Sequence, residues 1–465
     1  MGLARRVVCC GLWAASAIAP AVAADAEPTR PALMMNRWQE DWSVLSDPAL
    51  RTQALDGLKY LPLSNDSAER YLSLGLTLRE RFEYNDASGF GVSGPGSDSY
   101  VLQRLQVHAD LHFADRWRLF TQLEDARAFS KKTLTPVDEN KADLRLAFLE
   151  TVQAFASGTL KARIGRQDFA FDLQRFVSSR DGPNVRQSFD AVWADWETEL
   201  WRFNGFLSRP VQYEDVHAFD DRSDNSLRFH TLRVERHILG RNELSAYWAL
   251  YERGAAHYLD GGGFEHRQIL DLRCAGKQGD VDWDLETMFQ GGKVGDKKIR
   301  AWAIGPSAGY TFLSLPWRPR AGLQVDAASG DTKSGDRTVG TFNPLFPNGY
   351  YFSLAGYTGY ANLVQAKPTL TVHPDARLSL LAGLGLQWRA TTADAVYVQP
   401  NVPVPGTAGR PGRWTGAYGQ LRADYKANAN LTAAIEAVHF AVGDTVRRAG
   451  GHDSDYVGVE GKFMW

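Results

Sequence analysis

The sequence predicts an all-β fold: a transmembrane antiparallel up-and-down β-barrel of about eighteen strands, with short periplasmic turns and long extracellular loops. Three observations carry that prediction. The chain ends in an amphipathic strand that finishes on an aromatic residue, it begins with a leader for export, and its connections alternate between short and long.

In the last eleven residues, Val457, Val459, Gly461, Phe463 and Trp465 share one parity and Gly458, Glu460, Lys462 and Met464 the other, so one face is apolar and one polar. Residues 71–84 supply a partner of the same kind, with Leu72, Leu74, Leu76, Leu78, Phe82 and Tyr84 alternating with Ser73, Gly75, Thr77, Arg79, Arg81 and Glu83. Pairing the first strand with the last leaves no free edge, which lipid does not tolerate.

Arg5 and Arg6 precede an apolar run over residues 7–18, and Ala21-Val22-Ala23 offers a small-residue cleavage site, so residues 1–23 are expected to be a signal peptide. Cys9 and Cys10 leave with it and Cys274 remains alone, which rules out a disulfide framework within one mature chain. Loss of two arginines moves the net charge from −2 to −4, an argument against nucleic acid as a partner. Aromatic residues reach 12%, with 14 Trp, as interfacial girdles require. A mean hydropathy of −0.33, with no apolar run of about 18 residues after the leader, excludes a helical membrane bundle.

Residues 24–68 lack sustained alternation and carry Pro28, Pro31, Pro48 and Pro62. They read as a periplasmic lead-in that lines the inner mouth, contacts a periplasmic export partner, or packs against the turns. Residues 69–465 read as the barrel. Clear strands are residues 101–113, where Leu105, Val107, Ala109 and Leu111 oppose Arg104, Gln106, His108 and Asp110, and residues 378–388, where Leu380, Ala382, Leu384 and Leu386 make a lipid-facing row. Short turns are expected at residues 114–116, 198, 240–241, 277–279, 314–316, 374–375 and 427–430. Long loops are expected at residues 85–98, 131–141, 168–186, 210–225, 254–263, 329–359, 391–413 and 443–454. Barrels of about 16 to 18 strands enclose an aqueous channel, so the expected product is a pore.

The inward parity is rich in charge: Arg79, Arg81, Arg104, Arg163, Arg320, Lys367 and Arg389 against Asp110, Glu124, Glu286, Asp326 and Glu436. These side chains either pair across the wall of a wet lumen or ring a constriction that attracts anions. The segment 163–190 is the densest part, with Arg166, Arg175, Arg180 and Arg186 on or beside a long external connection that would narrow the pore if it folded inward.

Gly165-Arg166-Gln167, the turn Arg180-Asp181-Gly182-Pro183-Asn184 leading to Ser188-Phe189-Asp190, and Ser329-Gly330-Asp331 before Phe342-Asn343-Pro344-Leu345-Phe346-Pro347 resemble the alginate export family, as do Arg37-Trp38 and Lys59-Tyr60 in the lead-in. The resemblance implies an outer-membrane barrel whose arginine-lined lumen passes a polyuronate, gated by an external and a periplasmic loop. It carries the lining role to Arg79, Arg104, Arg163, Arg166 and Arg320, with Asp110 and Glu286 as the acids that hold them. The periplasmic gate has no counterpart among the short turns, which leaves residues 329–359 as the lid candidate.

His230, His237, His257 and His266 are scattered, and no metal-ligand spacing occurs. Residues 219–225 are acidic enough for a loop calcium ion but lack an EF-hand pattern and read as a solvated loop. The expectation is therefore a bacterial outer-membrane channel, not an enzyme and without cofactor, bounded by lipid and passing an anionic polysaccharide. The alternatives are an uptake porin for small organic anions or sugars and a hydrolase at the barrel rim.

Overall fold

A computed structural model of the chain describes residues 30–465 apart from 65, 93, 95, 115 and 239–241. The expected signal peptide and the turn at 240–241 lie outside the described residues. Among those described, eighteen long strands form one antiparallel barrel. The first six are β1 Tyr71–Asn85, β2 Asp98–Phe113, β3 Trp117–Phe129, β4 Asn140–Phe155, β5 Gly158–Gln167 and β6 Phe189–Glu197. Next come β7 Trp201–Gln212, β8 Leu227–Ile238, β9 Asn242–Tyr258, β10 Gly261–Gln278, β11 Val281–Val294 and β12 Lys297–Thr311. The circuit is completed by β13 Arg320–Ala328, β14 Leu363–Val372, β15 Leu378–Trp388, β16 Trp414–Lys426, β17 Leu431–Val442 and β18 Ser454–Met464. No described helix is long and apolar enough to cross a membrane.

The barrel closes where β1 pairs with β18, from Thr77 opposite Met464 to Asn85 opposite Tyr456. Parity sorts the faces as expected. In β1, Ser73, Thr77, Arg79, Arg81 and Glu83 are buried inside, whereas outward Leu207, Leu232 and Leu421 on other strands are about two-thirds exposed, as a lipid-facing wall requires.

One of the expected connections differs, and two more turns were not among them. Residues 254–263 do not form a long loop: β9 continues to Tyr258 and β10 starts at Gly261, with a register shift between Arg253 and Ala256. The small residues there read as a loop, yet backbone pairing needs no side chains, and the bulge absorbs the mismatch. A second tight external turn joins β11 to β12 at Gly295 and Asp296, so the alternation of short and long connections is not strict. The short turn at Ala156 and Ser157 was also not anticipated.

The pairing ends with Trp465, which exchanges backbone hydrogen bonds with Leu76 (2.7 and 2.9 Å), and leaves residues 71–75 of β1 without a neighbour on that side. The lead-in supplies one. Leu61 pairs with Leu72, the Lys59 ammonium donates to the Leu74 carbonyl (2.9 Å), and the Arg37 guanidinium donates to the carbonyls of Leu76 (2.8 Å) and Trp465 (3.1 Å). Glu40 neutralises Arg37 at 2.6 Å, and Trp42, Tyr60 and Tyr71 form a small apolar core behind it. Backbone groups that a barrel end exposes are thus accounted for by side chains.

The interior is not an empty tube. Residues 168–188 and 340–362 turn inward and pack Phe169, Phe176, Phe342, Phe346 and Phe352 against wall residues Phe189, Phe206, Phe229 and Tyr247. A backbone bridge joins the two loops at Val177 and Phe346.

Replacing Arg37 by Ala strands the buried Glu40 and removes two donors from the seam. The barrel should lose about 1–3 kcal/mol, read as a lower midpoint for the heat-induced mobility change of the folded protein on gels; an unchanged midpoint would mean that the lead-in does not support the seam.

Candidate functional site

Register converts parity into a site. Arg79 of β1 lies directly opposite Lys462 of β18 on one side and Arg104 of β2 on the other, so three cations occupy one row of the inner wall. Like charges placed directly opposite one another destabilise a sheet unless an anion compensates. The compensating anion comes from the inward loop. The Asp181 carboxylate pairs with the Arg104 guanidinium and stands 3.5 Å from the Lys462 ammonium.

The same turn offers its backbone. Arg79 donates to the carbonyl of Asp181 (2.7 Å) and to the Asn184 side-chain oxygen (2.9 Å), Arg81 donates to the carbonyl of Gly182 (2.7 Å), and Arg104 donates to the carbonyl of Asn184 (3.2 Å). Arg81 is further neutralised by Glu83 and Glu460. Burial raises the Asp181 carboxyl, but Lys462, Arg104, Arg186 and Arg79 outweigh it and hold the group well below the ordinary carboxylate range.

The two ends of the loop are tied elsewhere. Asp168 pairs with Arg145 of β4, lies 3.6 Å from Arg186, and accepts from the Trp38 indole of the lead-in at 2.9 Å. Arg186 also donates to Ser179 Oγ (2.7 Å) and to Asn36 Oδ1 (2.8 Å). Farther along, Arg175 donates to Asp284 (2.8 Å), to Glu286 (2.6 Å) and to the Tyr351 hydroxyl (2.6 Å). Tyr351 and Tyr360 in turn donate to Asp326 at 2.7 and 2.9 Å. The loop of residues 340–362 is therefore locked to the loop of residues 168–188.

The tips of these loops meet at glycines. A Cβ built on Gly182 would come 2.7 Å from the Gly349 Cα, so only glycine permits this approach. On the side of the short turns, a cavity of about 820 Å³ reaches Asp181 and is lined by Arg320, Lys367, Arg422, Lys462 and Tyr350. Arg320 pairs with Asp282, Arg422 with Glu436 (3.0 Å) and Asp424 (2.7 Å), and Lys367 donates to the Phe352 carbonyl at 2.8 Å.

The remaining expected residues lie apart from this row. Arg163 bonds Glu150 and stacks on Trp38 (4.1 Å) and Phe148 (4.3 Å) near the lead-in. Asp110 is held by Arg118 at 2.6 Å, and Glu124 faces Arg145 at 3.5 Å. Arg166 bonds Asp190 (2.9 Å) and the Leu144 carbonyl (3.0 Å) toward the outer rim. Arg389, just past β15, donates to loop carbonyls including Asp394 (3.1 Å) and Thr407 (2.7 Å) and organises residues 391–413.

Sequence reasoning did not single out Lys462, Arg422, Arg145 or Asp181 as site residues. Lys462 shares the polar parity of the last strand, but only the seam register sets it opposite Arg79. Arg145 sits where register shifts in the β3–β4 pair break the alternation, leaving both Arg145 and Leu146 buried.

A sequence model described as alginate export matches residues 70–460. No curated protein matches the chain. Several solved outer-membrane proteins share the fold at low identity. A BenF-like porin from Pseudomonas fluorescens Pf-5 superposes with a TM-score of 0.57 at 11% identity, covering 85% of this chain and 99% of its own. OccAB3 of Acinetobacter baumannii gives 0.56 at 11% identity with the same coverages. OpdK of Pseudomonas aeruginosa gives 0.55 at 10% identity, covering 85% and 98%.

Two measurements test this geometry. Gly182→Ala forces the two loop tips apart and should raise single-channel conductance in a planar bilayer; an equal or lower value would mean that the tips do not limit the path. Because the folded-state value of Asp181 is depressed, its ionic contacts are complete above the ordinary carboxyl value of 3.8 and are lost only as pH falls through the lower folded value. The conductance step that Asp181→Asn abolishes should therefore lie below pH 4, and finding that step near pH 5 would contradict the depressed value.

Proposed function

Because the chain belongs to the alginate export family, a family of outer-membrane channels rather than enzymes, we propose that its barrel passes an anionic polysaccharide of the polyuronate type across the bacterial outer membrane. The observation that carries the proposal is the row Lys462–Arg79–Arg104 with the Asp181 carboxylate set against it. A carboxylate on a mobile chain is chemically equivalent to the one the loop supplies. A uronate residue arriving at this row takes over the charge compensation, and Asp181 with its turn swings away.

The energetics favour exchange over capture. Removing one partner of a buried ion pair costs about 3–5 kcal/mol, largely because a charge is left uncompensated. Replacing one carboxylate by another avoids most of that cost in either direction, so neither the loop nor the cargo is trapped. Arg320, Lys367 and Arg422 then offer further sites along the cavity toward the short-turn side, as multi-site conduction requires. Of the residues carried over from sequence, Arg79, Arg81, Arg104, Arg175, Arg186, Arg320, Lys367, Asp326 and Glu286 act here as lining or loop-holding groups. The roles of Arg163, Arg166, Arg389, Asp110 and Glu124 are to support the wall, the outer rim and the lead-in.

A second reading, a pore for small organic anions or sugars, is favoured by the packed interior, since a cavity of about 820 Å³ suits a small solute if the loops stay in place. The lead-in, which touches both the seam and Asp168, is the surface on which a periplasmic export partner would act.

Asp181→Asn removes the built-in anion and should shift the reversal potential in a salt gradient toward stronger anion preference, with larger block by a uronate trimer. Arg104→Ala combined with Lys462→Ala should do the reverse. Unchanged selectivity in both variants would remove the row from the conduction path.

A further inference from the structure

On the extracellular side of the Gly182–Gly349 contact lies a second cavity, of about 530 Å³, between the outer ends of β7–β9, the loop of residues 340–362 and residues 397–403. Its composition differs from that of the inner wall. Tyr251, Tyr258 and Phe346 supply aromatic surface, and Arg180 and Arg253 supply positive charge. Arg180 donates to the Leu345 carbonyl at 3.2 Å, and its guanidinium sits 5.4 Å from the Phe346 ring. Among the described residues, no carboxylate pairs with Arg180 or Arg253, whereas Arg79, Arg81, Arg104, Arg175 and Arg186 all have acids in reach. The acid that lines this cavity, Asp224, is occupied by Ser226, whose backbone N–H and hydroxyl both donate to it at 2.7 Å.

We infer that this outer cavity is a binding subsite for one carboxylated sugar ring of the cargo. The chemistry matches group by group. Uncompensated arginines take a carboxylate in charge-assisted, bidentate fashion. The aromatic rings take the apolar C–H face of a pyranose, which a simple fatty acid does not bring. Arg180 and Asp181 are consecutive, and they face opposite cavities. The same turn therefore reads the cargo outside and stands in for it inside. This inference rests on the channel reading and adds a site to it.

The test is sided block of the purified full-length chain, inserted from one chamber of a planar bilayer so that orientation is uniform. The probes are a uronate trimer and its carboxyl-reduced neutral counterpart. Wild type should be blocked from the extracellular side by the uronate trimer at concentrations at least tenfold lower than by the neutral trimer. Arg180→Gln with Arg253→Gln should raise the half-blocking uronate concentration on that side about tenfold, with a smaller change on the periplasmic side. The exposed Arg253→Gln alone, expected to give an intermediate shift, keeps the test decisive if the double variant fails to insert. Equal block by both trimers, or no sided change in either variant while wild type is blocked, overturns the subsite and leaves the channel reading intact. Absence of uronate block from either side overturns both.

Discussion

The seam between β1 and β18 is the constraint on which the rest depends. A barrel in lipid must pair its first strand with its last, and here the register of that pairing also decides which charges meet. With Thr77 opposite Met464, Lys462 falls beside Arg79. A slip of one residue would turn the whole inward set of β18 toward lipid. Closure and charge placement are thus one event. The lead-in belongs to it, since Lys59 and Leu61 complete the part of β1 that the last strand does not reach and Arg37 caps the final Leu76–Trp465 pair.

From that row follows the filling of the lumen. Three adjacent cations demand an anion, and the turn at residues 180–184 delivers a carboxylate together with a run of carbonyl oxygens aimed at guanidinium groups. Apolar packing alone does not account for the loop's position. Phe169 and Phe171 pack against Phe189, Phe206 and Tyr247 of β6, β7 and β9, while the charged turn reaches across to β1 and β2. The two anchors differ in kind. The apolar one is non-directional, and the ionic one is a set of directional, charge-assisted contacts.

Much of this architecture was legible in the sequence. Period-two alternation identified the strands, their inward parity and the closing pair, and residues 168–186 stood out as an arginine-rich connection able to fold inward. What parity leaves undetermined is height. Arg79, Arg163 and Arg389 share an inward expectation, yet Arg79 meets the loop, Arg163 meets Trp38 of the lead-in, and Arg389 lies beyond its strand among loop carbonyls. Height depends on register, and register depends on turn lengths and bulges such as those near Arg145 and Arg253. Asp181 was hidden for another reason: a carboxylate beside arginines in a loop has no sequence mark that separates a solvated pair from a plug.

The measurement that bears most directly on the account is a crystal structure of the full chain with a short uronate oligomer. A uronate carboxylate is expected at Arg79, Arg104 and Lys462, with Asp181 displaced from the row and the aromatic packing of Phe176 and Phe346 kept. Oligomer bound elsewhere in the barrel, with Asp181 still paired to Arg104, would contradict it.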